Sequence, residues 1–219
     1  MNKINSLAAV LIACHSCLSA EPTKKVRSGH NLLEDTRFHD VGEPLSELAF
    51  KSVDGRDFYL SESLKQGPVV FVFLSTECPL AKRYTSLLCR LHEEISRDGV
   101  QMFAVFPNSN ETHDGVRQYG TKAKLPFPCV RDVSGYLARR IGASMTPQAF
   151  VVDQDSIVRY AGAIDDHRYE NRVKQSYLRD ALVALQSGEE IETPATKSMG
   201  CSIHLESGSG QGSVTYTGQ

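Results

Sequence analysis

The stretch that most constrains this chain is Val69-Val70-Phe71-Val72-Phe73-Leu74, then Ser75-Thr76-Glu77, then Cys78-Pro79. A short β-branched and aromatic run of this kind reads as a buried strand. Proline directly after the cysteine suits the first position of a helix, where its missing N–H costs nothing. Cys78 is therefore expected at a strand-to-helix junction, capping the helix. Unpaired amides and the helix dipole there favour the thiolate, the form that attacks disulfides and peroxides. Glu77 opposes ionisation of its neighbour. Lys82 and Arg83, one turn on, oppose Glu77, or else belong to a solvated helix face.

The pattern around this junction alternates strands and helices. Leu48–Val53 and Asp57–Leu60, joined at Asp54-Gly55, read as a β-hairpin. A strand over 68–74 leads into a helix from Pro79 to about Arg97, with Leu80, Tyr84, Leu87, Leu88, Leu91 and Ile95 on its apolar stripe and Gly99 ending it. Gln101–Phe106 is a second central strand, followed by a weak helix around Val116 and Tyr119. Phe127–Arg131 is a third strand. Asp132 caps a short helix through Leu137 to Ile141, which Gly142 stops. Strands Ala149–Val152 and Ile157–Tyr160 enclose a turn at Asp153–Ser156. A last helix is predicted from about Asn171 to Gln186, with Val173, Tyr177, Leu178, Ala181, Leu182 and Leu185 inward. The order predicts an α/β fold with a central mixed sheet flanked by helices and an N-terminal hairpin.

The 219 residues are 41% hydrophobic with a formal charge of −2, enough for one good core and no electrostatic case for a nucleic-acid partner. No apolar run reaches the roughly 18 residues of a membrane span. Lys3, the apolar stretch Leu7–Ala13 and Leu18-Ser19-Ala20 read as a signal peptide over 1–20. Leu11-Ile12-Ala13-Cys14 offers a competing lipobox, with a lipid anchor on Cys14. Either places the protein outside the cytoplasm, in the periplasm or cell envelope, where disulfides are permitted. Residues 21–40 read as a linker, 41–190 as the folded domain, 191–206 as a C-terminal segment carrying Cys201, and the Gly/Ser-rich 207–219 as a disordered tail.

At this point the chain resembles the redoxin branch of the thioredoxin-like superfamily, related to alkyl hydroperoxide reductase and thiol-specific antioxidant proteins. The resemblance covers about 41–190. It is carried by Phe73-Leu74-Ser75-Thr76-Glu77-Cys78-Pro79-Leu80-Ala81, by Asp132 through Gly142, and by Thr146-Pro147 before Ala149-Phe150-Val151-Val152-Asp153. It is similar to secreted bacterial redoxins with a Gly-Cys near the C-terminus, here Gly200-Cys201. The resemblance implies a cis Thr146–Pro147 bond facing the active cysteine, and a Met145-Thr146 backbone free to pair with a bound substrate chain. It implies a thiol oxidoreductase with antioxidant character, needing no cofactor, that acts on a peroxide or a thiol/disulfide protein and draws on an unspecified electron donor.

The departures are as informative. Ala81 stands where related reductases carry a second cysteine, and the chain has no tryptophan. Peroxiredoxins carry Pro-x-x-x-Thr-x-x-Cys and a later arginine. Here Ser75 fills the threonine position and is expected to hydrogen-bond the sulfur. Phe71 replaces the proline, and Pro147 falls near the arginine's place, leaving Arg83 or Arg131 as substitutes.

Cys201 is the best partner for Cys78, because its segment can fold back over the active edge; the alternative is an unpaired tail thiol. Cys89 lies about 16 Å along the helix from Cys78, too far to bridge to it. Cys129 reads as a core residue, with a Cys89–Cys129 bridge left open. A competing functional reading is a non-catalytic carrier, in which Met199, Cys201 and His204 offer soft donors suited to Cu(I). His113 and His167 read as loop histidines, and Asp165-Asp166 as a turn or a partner of Arg168.

Overall fold

The computed structural model describes residues 41–205; the expected signal peptide, the Cys14 anchor, the linker and the terminal tail lie outside them. A five-stranded sheet forms the centre, built from β3 (Val69–Phe73), β4 (Gln101–Phe106), β5 (Cys129–Arg131), β7 (Gln148–Val152) and β8 (Val158–Gly162). Its order is β5-β4-β3-β7-β8. β3 runs parallel to β4 and antiparallel to β7, so the sheet is mixed as predicted. β1 (Ala49–Lys51) and β2 (Asp57–Tyr59) form the N-terminal hairpin. β6 (Met145–Thr146) stands apart and pairs with β9 (Cys201–Ser202).

All five residues of β3 are buried because both sheet faces are covered. Val70 and Val72 face α2 (Pro79–Ile95), α3 (His113–Ala123) and α5 (Tyr177–Ser187), packing with Leu88, Leu91, Val116, Leu178 and Leu182. Val69, Phe71 and Phe73 face the hairpin, α1 (Leu60–Leu64) and α4 (Tyr136–Ile141), packing with Phe50, Leu60, Phe103, Leu137 and Phe150. Each of these fully buried side chains contributes about 1.5–3 kcal/mol relative to exposure.

Several boundaries differ from the sequence reading. The last helix begins at Tyr177, not Asn171. The Asp166 carboxylate accepts from Lys174 N, and Asp166 N donates to Gln175 O, which diverts the backbone groups an earlier helical start would need. Val173, assigned to that helix, is extended. Between Asp132 and Ile141 the chain makes a 3-10 turn before α4, because Ser134 and Gly135 both take positive φ. The third strand begins at Cys129, shorter than predicted.

Asp132 still caps α4. Its two carboxylate oxygens accept from Leu137 N (2.8 Å) and Ala138 N (2.9 Å). Burial dominates its titration and raises its pKa to about 6. Asp132→Ala orphans two buried amides and is expected to destabilise the fold by about 1–3 kcal/mol, read from urea unfolding midpoints.

Candidate redox site

Cys78 follows β3 and is the N-cap residue of α2, with Pro79 in the first helical turn. Thr146–Pro147 is a cis peptide. The Cys78 sulfur lies 3.3 Å from Thr146 O, so the two sequence signals meet across 68 positions. Cys78 is 2% exposed. Its cover is β9, which runs antiparallel to β6 with Thr146 opposite Cys201 and Met145 opposite Ser202. The Cys201 sulfur faces the Cys78 sulfur at 2.7 Å, although the residues are 123 positions apart.

The two thiols are unequal. Burial works against ionisation of Cys78. The hydrogen bond from Cys201, the amides of Ala81 and Leu80, and the Thr146 side chain outweigh it, and the Cys78 pKa falls below its ordinary value. These amides act through their charge distribution, since no side-chain capping hydrogen bond closes at Cys78. Cys201 moves the other way, pushed up to about 11, first by its hydrogen bond to Cys78 and then by burial of the thiol. Of the two, Cys78 is the thiol that ionises first.

The remaining predicted residues are placed as follows. Ser75 is buried, and its hydroxyl accepts from Glu77 N; the sulfur's own partners are Thr146 and Cys201. Glu77 points outward and accepts from Asn110 Nδ2. The Arg83 guanidinium lies over the Tyr169 ring, 5.1 Å from its centroid. Arg131 donates to the carbonyls of Glu111 and Asp132. Cys129 is a core thiol raised to about 12 by burial, Cys89 lies near Lys124 O, and both are free. Asp165 is buried in a bend and accepts from the Tyr84 hydroxyl and His167 N. Among the described residues, no three or more His, Cys, Asp or Glu gather as a metal-holding set.

Glu111 lies in the loop between β4 and α3. It is 5% exposed; Oε1 accepts from Thr76 N (2.6 Å) and Oε2 from Asn108 N (3.2 Å). It ties the Cys78 loop to the loop after β4. No local pattern marks this, because its partner lies 35 positions away.

The comparisons with known proteins agree with this geometry. The model of the AhpC/TSA family matches residues 41–161, more than half of the chain. The chain belongs to the AhpC/TSA family. A thiol:disulfide interchange protein, DsbE, of Escherichia coli K12 is 24% identical over 151 residues, covering 64% of this chain and 77% of that protein. A hypothetical protein from Sinorhizobium meliloti 1021 superposes with a TM-score of 0.71 at 26% identity, over 77% of this chain and 96% of the other. An uncharacterized conserved protein from Geobacillus kaustophilus gives 0.72 at 25%, over 79% and 95%. With its paired sulfurs, this AhpC/TSA protein is a thiol-based oxidoreductase.

Two predictions follow from the geometry. Cys201→Ala removes the strongest influence lowering the Cys78 pKa, so the ultraviolet thiolate absorbance of Cys78 should titrate at higher pH than in the wild type. Glu111→Ala leaves two amides without acceptors and should cost about 1–3 kcal/mol in denaturant unfolding, with slower reaction at Cys78.

Proposed function

We propose that Cys78 is the nucleophile and Cys201 the resolving thiol of a redox cycle. The observation that carries this reading is the facing of their sulfurs at 2.7 Å beside cis Pro147. With a disulfide substrate, the Cys78 thiolate attacks one sulfur and expels the other as a thiolate. Cys201, giving up its proton, then attacks Cys78 in the mixed disulfide and releases the second substrate thiol. With a hydroperoxide, Cys78 takes the terminal oxygen to become a sulfenic acid and an alcohol leaves. Cys201 condenses with the sulfenic acid, forming the Cys78–Cys201 disulfide and water. An external dithiol donor returns two electrons and closes the cycle.

Thr146 O accepts from the Cys78 thiol and orients it, while the N-terminus of α2 favours its ionised form. Ser75 holds the turn that presents it. Met145, Thr146 and Pro147 form the wall that a substrate meets, while Arg83 braces the rim through Tyr169. The N-terminal pattern around Leu7–Ala20 supports export to the periplasm or envelope, with cleavage or Cys14 lipidation as its endpoint. No helix among the described residues is long and apolar enough to cross a membrane.

Non-reducing digestion and mass spectrometry after one equivalent of oxidant should show a Cys78–Cys201 bridge. Cys78→Ser should abolish turnover. Cys201→Ser should retain the first step and accumulate a sulfenate or mixed disulfide at Cys78. Turnover by Cys78→Ser at the wild-type rate would exclude this cycle. The bridge closes a loop of 123 positions, so it should raise stability by about 5 kcal/mol over the reduced form in paired melts with and without reductant.

A further inference from the structure

The backbone edge that an extended substrate would use is already occupied. β9 pairs with Met145 and Thr146. The segment around it is fastened at both ends. Upstream, Ala161 N donates to Pro194 O, Thr196 N donates to Ala161 O, and the Thr196 hydroxyl accepts from Ala163 N. Downstream, Ile203 N donates to Ser144 O, His204 N to Asn108 Oδ1, and Ser109 N to His204 O. Ile203 and Leu205 pack against the core face that holds Leu137 and Phe150. Two glycines make the fit possible. A side chain at Gly200 would collide with Thr146 O, and one at Gly135 with Leu205.

From this we propose that the C-terminal segment is a built-in occupant of the cis-proline edge. It restricts the enzyme to oxidants small enough to reach Cys78 without pairing to Met145–Thr146: hydroperoxides and low-molecular-weight disulfides. Disulfides within extended polypeptides are excluded. The proposal rests on Cys78 being the nucleophile and adds the substrate class.

The physical contrast lies between two ways of uncovering Cys78. Cys201 is exposed as a residue, and turning its side chain aside opens a path for a small molecule while the strand stays paired. An extended chain needs the same N–H and C=O groups that β9 uses. It must first strip the β6–β9 pair, the bonds at Ser144, Asn108 and Ser109, and the apolar anchors. Reactivity toward such a chain is reduced in proportion to the fraction of time the edge is bare. Gly200, Ile203 and Leu205 are thus specificity determinants that touch neither sulfur.

The test uses the full reduced chain and two probes with the same reacting group. One is hydroxyethyl disulfide. The other is an extended peptide whose central cysteine carries a mixed disulfide with 2-mercaptoethanol. Loss of the Cys78 thiol is followed by quenching and mass spectrometry. Wild type should react with the peptide no faster than with hydroxyethyl disulfide. In the Ile203→Asp/Leu205→Asp protein the rate with the peptide divided by the rate with hydroxyethyl disulfide should rise about tenfold or more, a ratio in which any change in the Cys78 pKa cancels. Gly200→Val, which unseats the strand without touching the core, should give the same pattern and serves if the double variant does not fold. Wild type that prefers the peptide, or a variant that leaves the ratio of the two rates unchanged, would overturn the proposal. Wild-type consumption of hydroxyethyl disulfide by Cys78→Ser would instead refute the nucleophile assignment, and is distinguished by the site of the adduct.

Discussion

The redox centre is referenced to the backbone of one residue, Thr146. Its carbonyl accepts the Cys78 thiol, its strand position faces Cys201, and its peptide bond to Pro147 is cis. Thr146 is itself fully buried. Immediately after Pro147, β7 enters the sheet beside β3, the strand that delivers Cys78. Two neighbouring strands therefore hold the cysteine and its acceptor in register. The rigidity of the site is that of the sheet centre, not of a surface loop.

The inequality of the two sulfurs follows from their surroundings. Cys78 sits under cover, beside a helix N-terminus and a thiol donor. Cys201 lies on an exposed strand with only Cys78 as its polar sulfur contact. A helix end compensates a buried charge; an exposed two-residue strand offers no comparable dipole. Arg83 and Arg131, the arginines the sequence offered as substitutes, are engaged by Tyr169 and by backbone carbonyls.

Much of this was legible before any coordinates. The β3 run, the Leu88–Leu91–Ile95 stripe and the glycines at 99 and 142 mark elements by short-range periodicity and by backbone freedom, so the central sheet and the ends of α2 and α4 could be read. Cys78 and Pro147 were legible through their immediate neighbours. The start of α5 was not, because tertiary hydrogen bonds from Asp166 override the propensity of residues 171–175. The role of Glu111 and the seating of β9 were also hidden. Each depends on a partner dozens of positions away, and a two-residue strand carries too little pattern to announce itself.

Glu111 and Asn108 carry a further consequence. Glu111 grips Thr76 and Asn108; Asn108 in turn grips His204. The stem of Cys78 and the strand that carries Cys201 are thus pinned to one short turn, as two arms on a common pivot. The exposed stretch 188–190 that follows α5 sets neither arm. Its length and sequence are free to drift while the gap between the sulfurs stays constant, so variation there is a route by which such a protein can acquire new surroundings and keep its chemistry.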